Sequence, residues 1–116
     1  MNLIVYGDMR KGGENDLSSQ FTHKGSGLLK NYKLYKVHNK PTVVTTKYNL
    51  DEVYVDIYYI PFTYENYFNK LFNLHGYTKE YTDVDIGNVT IFGELFKYAG
   101  CITKDNYISS GDWLKQ

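Results

Sequence analysis

Three places in the chain set reactive side chains in surroundings that suit chemistry. The first is LFNLHGYTKEY, residues 71–81, where His75 closes an aromatic-rich helical stretch just before a glycine. An imidazole titrates near neutral pH, so it can serve as a general base. Its spacing of four from Leu71 puts it on the buried side of a helix, where a packed histidine is the plainer alternative. The second is VYGDMRKGG, residues 5–13. A strand that runs into a glycine turn exposes backbone N–H groups, and such a nest holds a carboxylate or phosphate. A simple turn is the alternative. The stretch is no P-loop, having no Gly-Lys-Ser/Thr at the right spacing, and its glycines do not match a dinucleotide fingerprint. The third is a pair of acids on strands. Asp56 shares a face with Tyr54 and Tyr58, and Glu94 with Phe92, Phe96 and Tyr98. A carboxyl desolvated among rings has a raised pKa and suits acid–base work, unless these faces are solvated.

Other chemistries find no support in the pattern. His23, His38 and His75 lack metal-ligand spacing, so no metal or cofactor is expected. The GxSxG turn of serine hydrolases is absent. Cys101 is the only cysteine, which excludes an intramolecular disulfide and a zinc cluster, and no nucleophile signature surrounds it.

The elements that must position these groups are mostly strands. Residues 2–6 (NLIVY) form a short apolar run ending at a glycine and predict a buried strand. Residues 7–15 predict a loop, and residues 16–23 are ambiguous, with room for a helical turn. Further strands are expected over 32–37, over 41–47 beginning at Pro41, and over 52–60 (EVYVDIYYI), the strongest of all. The period then changes. Tyr67, Phe68, Leu71 and Phe72 fall at helical spacing in residues 63–74. Thr63 is the expected N-cap, Phe62 against Tyr67 the hydrophobic staple, and Gly76 the stop. Strands over 81–86 and 89–98 complete the order. The class is α+β, or a small barrel with one helix at a face or end.

Composition narrows the partners. The 116 residues fit a single domain over 1–116, and 13 basic residues balance 13 acidic ones. Zero net charge gives no electrostatic reason to expect a nucleic-acid polymer or an anionic membrane as partner. No apolar run nears the roughly 20 residues of a membrane helix, and MNLIVYGDMRKGG lacks the features of a secretory leader. A cytoplasmic protein is expected. Tyrosine occurs 13 times and phenylalanine 6 times. With abundant Asn and Lys, this bias points to an AT-rich bacterial or phage genome, or to an aromatic-lined pocket.

Six segments also line up in order with one known family. VYGDMRKGG resembles the V-Y-G-S/T-L-R-x-G opening of the gamma-glutamylcyclotransferase-like family, which includes the AIG2-like proteins. Asn15 and Leu17 resemble its N-x-L positions, and YKLY (32–35) followed by Pro41 its Y-x-L-Y…P segment. VDIY (55–58) is similar to G-E-L/V-Y, LHGYTKEY to L-E-G-x-x-x-x-Y, and SSGDW (109–113) to S-G-D-W. The resemblance implies a small mixed β-barrel with one main helix packed outside and a pocket at one mouth. It further implies that the loop at Tyr6, Gly7, Asp8, Met9 and Arg10 binds a substrate's α-carboxylate through backbone amides. A glutamate at the helix end then shuttles a proton while the substrate's amine attacks its own γ-carbonyl. The products are 5-oxoproline and a released amine, with no metal or cofactor. Tyr58, Tyr81 and Glu94 are the other ring and acid positions expected around the ligand.

Three departures bear on that chemistry. His75 stands at the glutamate position. Asp83 stands where the family commonly has an arginine. Asp8 stands where the family has Ser or Thr, which places a negative charge beside the expected carboxylate. At ~4 Å and an effective dielectric of ~20, two such charges repel by about 4 kcal/mol unless Arg10 or Lys11 turns inward. Two functions follow from the sequence. One is a small-molecule binder on this barrel, without the family's standard chemistry, holding a polar or nucleotide-like metabolite or signal. The other is a gamma-glutamylcyclotransferase-type enzyme in which His75 or a barrel acid replaces the glutamate.

Overall fold

The computed structural model describes residues 1–116 apart from positions 49, 99, 101, 104 and 105; Cys101 therefore lies outside the described residues. The chain runs β1 (Asn2–Val5), β2 (Thr22–Lys30), β3 (Tyr32–Val37), β4 (Lys40–Thr45), β5 (Glu52–Tyr59), α1 (Phe62–Leu74), β6 (Tyr77–Ile86), β7 (Val89–Tyr98) and β8 (Tyr107–Ile108), with a final 3₁₀ turn at Trp113–Lys115. Five strands close into a barrel in the order β1-β5-β2-β6-β7, and β4-β3-β8 form a second sheet. The barrel is mixed. β1 pairs parallel to β7 through Leu3 with Glu94 and Ile4 with Leu95, and the other described pairs are antiparallel. Among the described residues no helix is long and apolar enough to cross a membrane.

Alternation along the strands sorts the core into two layers. Val53, Val55 and Ile57 of β5 join Ile4, Tyr6, Leu29 and Leu95 in one cluster. Leu3 and Val5, the alternate residues of β1, join Tyr58, Ile60, Phe96, Leu17 and Phe68 in the other. α1 serves this second layer. Phe68, the helix residue that is fully buried, meets Phe21 edge-on at 5.4 Å, and Phe72 stacks on Phe96 at 4.3 Å. Burying a side chain of this size stabilises by roughly 2–3 kcal/mol.

The helix ends depart in part from expectation. Pro61 rather than Thr63 is the N-cap, and no side-chain cap bond forms. Phe62 is 84% exposed, so it makes no staple with Tyr67. Pro61 instead fixes the entry φ at −57°, and its carbonyl accepts from Tyr64 N at 2.9 Å. Gly76 does end the helix, at φ 84°, with its N–H donating to the Asn73 carbonyl.

Two strands went unread in the sequence. β8 is only two residues long. β2 contains Lys24-Gly25-Ser26-Gly27, a composition that signals a loop. The glycines are there because strands crowd this corner. A Cβ on Gly27 would collide with the Asp85 carbonyl and stand 2.8 Å from Ile86 Cγ2. Gly25 sits at φ 157°, where the pairing of β2 with β5 slips by a residue.

Candidate functional site

A cavity of about 310 Å³ opens between the barrel and the end of α1. One wall is the loop Tyr6-Gly7-Asp8-Met9 with Asn15, and a second is Asn39-Lys40-Pro41. Leu71, Phe72 and His75 at the end of the helix form a third, and Ile4 and Val5 of β1 with Tyr77 and Phe96 complete the lining.

The loop is shaped by close backbone approaches. A Cβ on Gly7 would stand 2.5 Å from Pro41 Cγ, and one on Gly13 would strike the Asp8 carbonyl. The chain turns back on itself through Arg10 N to Gly7 O at 3.2 Å and Asn15 N to Asp8 O at 2.8 Å. Among the described residues, the amides of Gly7, Asp8 and Met9 donate to no protein acceptor, so they remain available to a ligand in the cavity.

What fixes this loop is a buried charge network that the sequence reading did not foresee. Arg10 Nε donates to Asp56 Oδ2 at 2.9 Å, and Arg10 Nη1 to Asp112 Oδ1 at 2.7 Å. Asp56 also accepts from Lys11 N at 3.2 Å and from Ser26 Oγ, and faces His23 Nε2 at 2.8 Å. Burial alone would raise the Asp56 carboxyl. The bonds from Ser26, His23 and Arg10 outweigh it and hold Asp56 below its ordinary value. The expectation of a raised, proton-shuttling Asp56 is thus corrected: the strand acid is an ionised anchor for Arg10. Arg10 in turn is spent on two carboxylates and does not turn toward Asp8.

The remaining sequence candidates fall in three environments. Tyr6, Gly7, Asp8, Met9 and His75 line the cavity. His75 is exposed there as the C-cap of α1, not buried as its helical phase implied, because the helix has already ended at Leu74. Tyr58 is fully buried and lies outside the lining, edge-on to His23 at 5.2 Å, with its hydroxyl 3.3 Å from Asp16. Glu94 shares its strand face with Phe96, outside the cavity lining, and is paired with Lys79 at 3.7 Å. Its Oε2 is buried without a hydrogen-bond partner among the described residues. Tyr81 is 57% exposed and stacks on Phe92 at 5.7 Å, away from the cavity.

The cavity also holds groups that no sequence motif singled out. His38 and Asn39 form the two-residue turn between β3 and β4, at φ 50° and 64°. This delivers Lys40 to the end of α1, where its Nζ donates to the His75 carbonyl at 3.2 Å and sits 4.9 Å above the Tyr98 ring. The last turn of α1 has no basic residue of its own, so Lys40 supplies the positive charge its C-terminus favours. Tyr77 donates its hydroxyl to the Pro41 carbonyl at 2.9 Å. Burial pushes its phenol well up, and the Asp8 carboxylate adds to the effect. The His38-Asn39 pair between two strand patterns was the available signal for Lys40. Among the described residues no three His, Cys, Asp or Glu side chains converge as a metal site would require.

Several known proteins share this architecture. An uncharacterised protein from Pyrococcus horikoshii superposes with a TM-score of 0.72 at 21% identity, over 97% of this chain and 89% of that one. The ytfP protein of Escherichia coli gives 0.66 at 24% identity, over 99% and 97%. A structure described as a gamma-glutamyl cyclotransferase gives 0.68 at 13% identity, over 93% and 68%. These likenesses establish the fold. No curated protein sequence matches the chain. The family model described as gamma-glutamyl cyclotransferase, AIG2-like, matches residues 3–115. With nearly its whole length matched, and with the loop, the helix end and the Ser-Gly-Asp-Trp tail drawn together around one barrel, the chain belongs to the gamma-glutamyl cyclotransferase, AIG2-like family.

Proposed function

We propose that this protein binds a small polar molecule in the cavity between the Tyr6–Met9 loop and His75, without the family's standard chemistry. One observation carries the reading. The helix-end position that the resemblance assigns to the catalytic glutamate is His75, and among the described residues no glutamate lines the cavity. Among the described residues Asp8 is the one carboxylate in the lining, and its Oδ2 already accepts from Asn15 Nδ2 at 2.7 Å. A pocket of about 310 Å³ with aromatic and polar walls suits a metabolite of modest size. The Tyr-, Asn- and Lys-rich composition supports a bacterial or phage origin, so the binder would act in the bacterial cytoplasm.

A second reading keeps the enzyme, because His75 lines the same cavity as the loop. In that case His75 takes the proton from the attacking amine and returns it to the leaving nitrogen. The barrel acids are poorer candidates: Asp56 is tied to Arg10 and Glu94 lies outside the lining. The two readings separate on 5-oxoproline release from γ-glutamyl amino acids and γ-glutamyl amines. The proposal expects none from the native protein, with any bound compound recovered unchanged. Release that disappears in His75→Ala would replace it with the enzyme reading. Release appearing in His75→Glu would show that the acid alone had been lost.

A further inference from the structure

The charges at the cavity are arranged opposite to what a carboxylate-binding loop needs. Asp8 brings a negative charge into the loop, and Arg10, the basic residue nearest to it in sequence, is held by Asp56 and Asp112. No cation lies within ion-pair distance of Asp8 among the described residues, and Asn15 occupies only one of its two carboxylate oxygens. A positive charge, Lys40, belongs to the same lining. Lys40 spends one of its three N–H donors on the His75 carbonyl, which leaves two for an acceptor. Phe72 and Phe96, stacked on each other, add an apolar surface to that lining.

We infer that the loop is a cation-docking site, and that the cavity takes a small molecule with a primary ammonium at Asp8, an acidic group at Lys40 and an apolar skeleton against Phe72 and Phe96. The inference rests on the binding reading above and gives it a ligand class and an orientation. An ammonium satisfies the free oxygen of Asp8 with a charge-assisted bond. A carboxylate placed against the same loop would meet Asp8 with like charge, even with the Gly7–Met9 amides available. At Lys40 the carboxylate gains a charge-assisted bond from the ammonium.

The test uses three probes on one skeleton: phenethylamine, L-phenylalanine and 3-phenylpropionate. Each is titrated at pH 7 into ¹⁵N-labelled protein while the Gly7, Asp8 and Met9 amide signals are followed. L-Phenylalanine is expected to bind tightest and 3-phenylpropionate weakest. Asp8→Asn should weaken both amines by roughly ten- to a hundredfold and leave 3-phenylpropionate unchanged or tighter. Lys40→Met should bring L-phenylalanine down to phenethylamine. Three results would each overturn the inference: 3-phenylpropionate binding tighter than phenethylamine, amine affinity indifferent to Asp8→Asn, or no amine moving the Asp8 signal. The two claims fail separately. Carboxylate-first binding without turnover removes the orientation and leaves the binder. Release of 5-oxoproline together with Asp8-dependent amine binding removes the binder and leaves the orientation.

Discussion

Replacing Arg10 with methionine keeps most of the apolar stem and removes the guanidinium. Two carboxylates then lose their cation at once. The Asp56 side chain is 1% exposed and that of Asp112 is 9% exposed, so water reaches neither freely. Removing one partner of a buried ion pair destabilises by roughly 3–5 kcal/mol. Here the lower end applies, because both acids keep other donors: Asp56 retains Ser26, His23 and the Lys11 amide, and Asp112 retains the Leu114 amide. A loss of about 3 kcal/mol corresponds to roughly a hundredfold in the folding equilibrium, and to a Tm lower by about 10 °C for a domain of this size. Urea unfolding at pH 7 and again near pH 4.5 measures it. In the native protein Asp56 is held below its ordinary value. Without Arg10 its burial dominates and the carboxyl takes up a proton more readily, so the deficit should shrink as the pH falls. The triple variant Arg10→Met, Asp56→Asn, Asp112→Asn should recover much of the loss at pH 7. A deficit below 1 kcal/mol, one equal at both pH values, or a triple variant less stable than the single one would refute the assignment of this network as a buried charge lock.

Further outcomes follow from the same geometry. The Asp16 carboxyl is lowered from its ordinary 3.8 to about 2, chiefly by the Gly12 and Ser18 amides. Its contribution is complete above the ordinary value and lost as pH falls toward about 2, so native protein should be more stable than Asp16→Asn at neutral pH and the two should converge as an acid titration passes through that window. Burial raises the phenols of Tyr58 and Tyr77. Their neutral forms stabilise the fold up to the ordinary tyrosine value near 10, and that part is lost as pH rises beyond it. Tyr77→Phe should therefore flatten alkaline unfolding followed by circular dichroism. Gly27→Ala drives a methyl into the Asp85 carbonyl and Ile86. It should cost about 1–3 kcal/mol in urea unfolding, and a neutral result would mean that the two strands can part there at little expense.

The parts of the fold that were legible in the sequence are those where local chemistry agrees with the tertiary role. Residues 52–59 alternate, and β5 is paired along both edges, with β1 and β2. Tyr67–Phe72 repeat at helical spacing, and Gly76 stops the helix. β2 was hidden because its glycines answer to Asp85 and Ile86, residues nearly 60 positions away. β6 begins at Tyr77 rather than Tyr81, because the polar run Thr78–Glu80 pairs with Leu95–Lys97 of β7 instead of forming a loop. At the site, the loop and His75 could be placed from the order of the family-like segments. Asp56 could not be assigned, since alternation shows which face a carboxyl takes but not that Arg10, His23 and Ser26 will be waiting there. Lys40 was missed because its role depends on where a turn and a helix end meet in space.

The bond from Arg10 to Asp112 spans 102 residues. A contact of that separation is among the last a chain can make, since loop closure must precede it. During synthesis the loop that carries Asp8 therefore has only half its lock until Asp112 has left the ribosome. The barrel strands can pair before then, but the cavity's defining wall becomes rigid only when the Ser-Gly-Asp-Trp segment returns to it. That segment lies outside the cavity lining, yet it works as a completion signal. A chain cut short before it would carry every residue of the cavity, but its loop would be held by Asp56 alone.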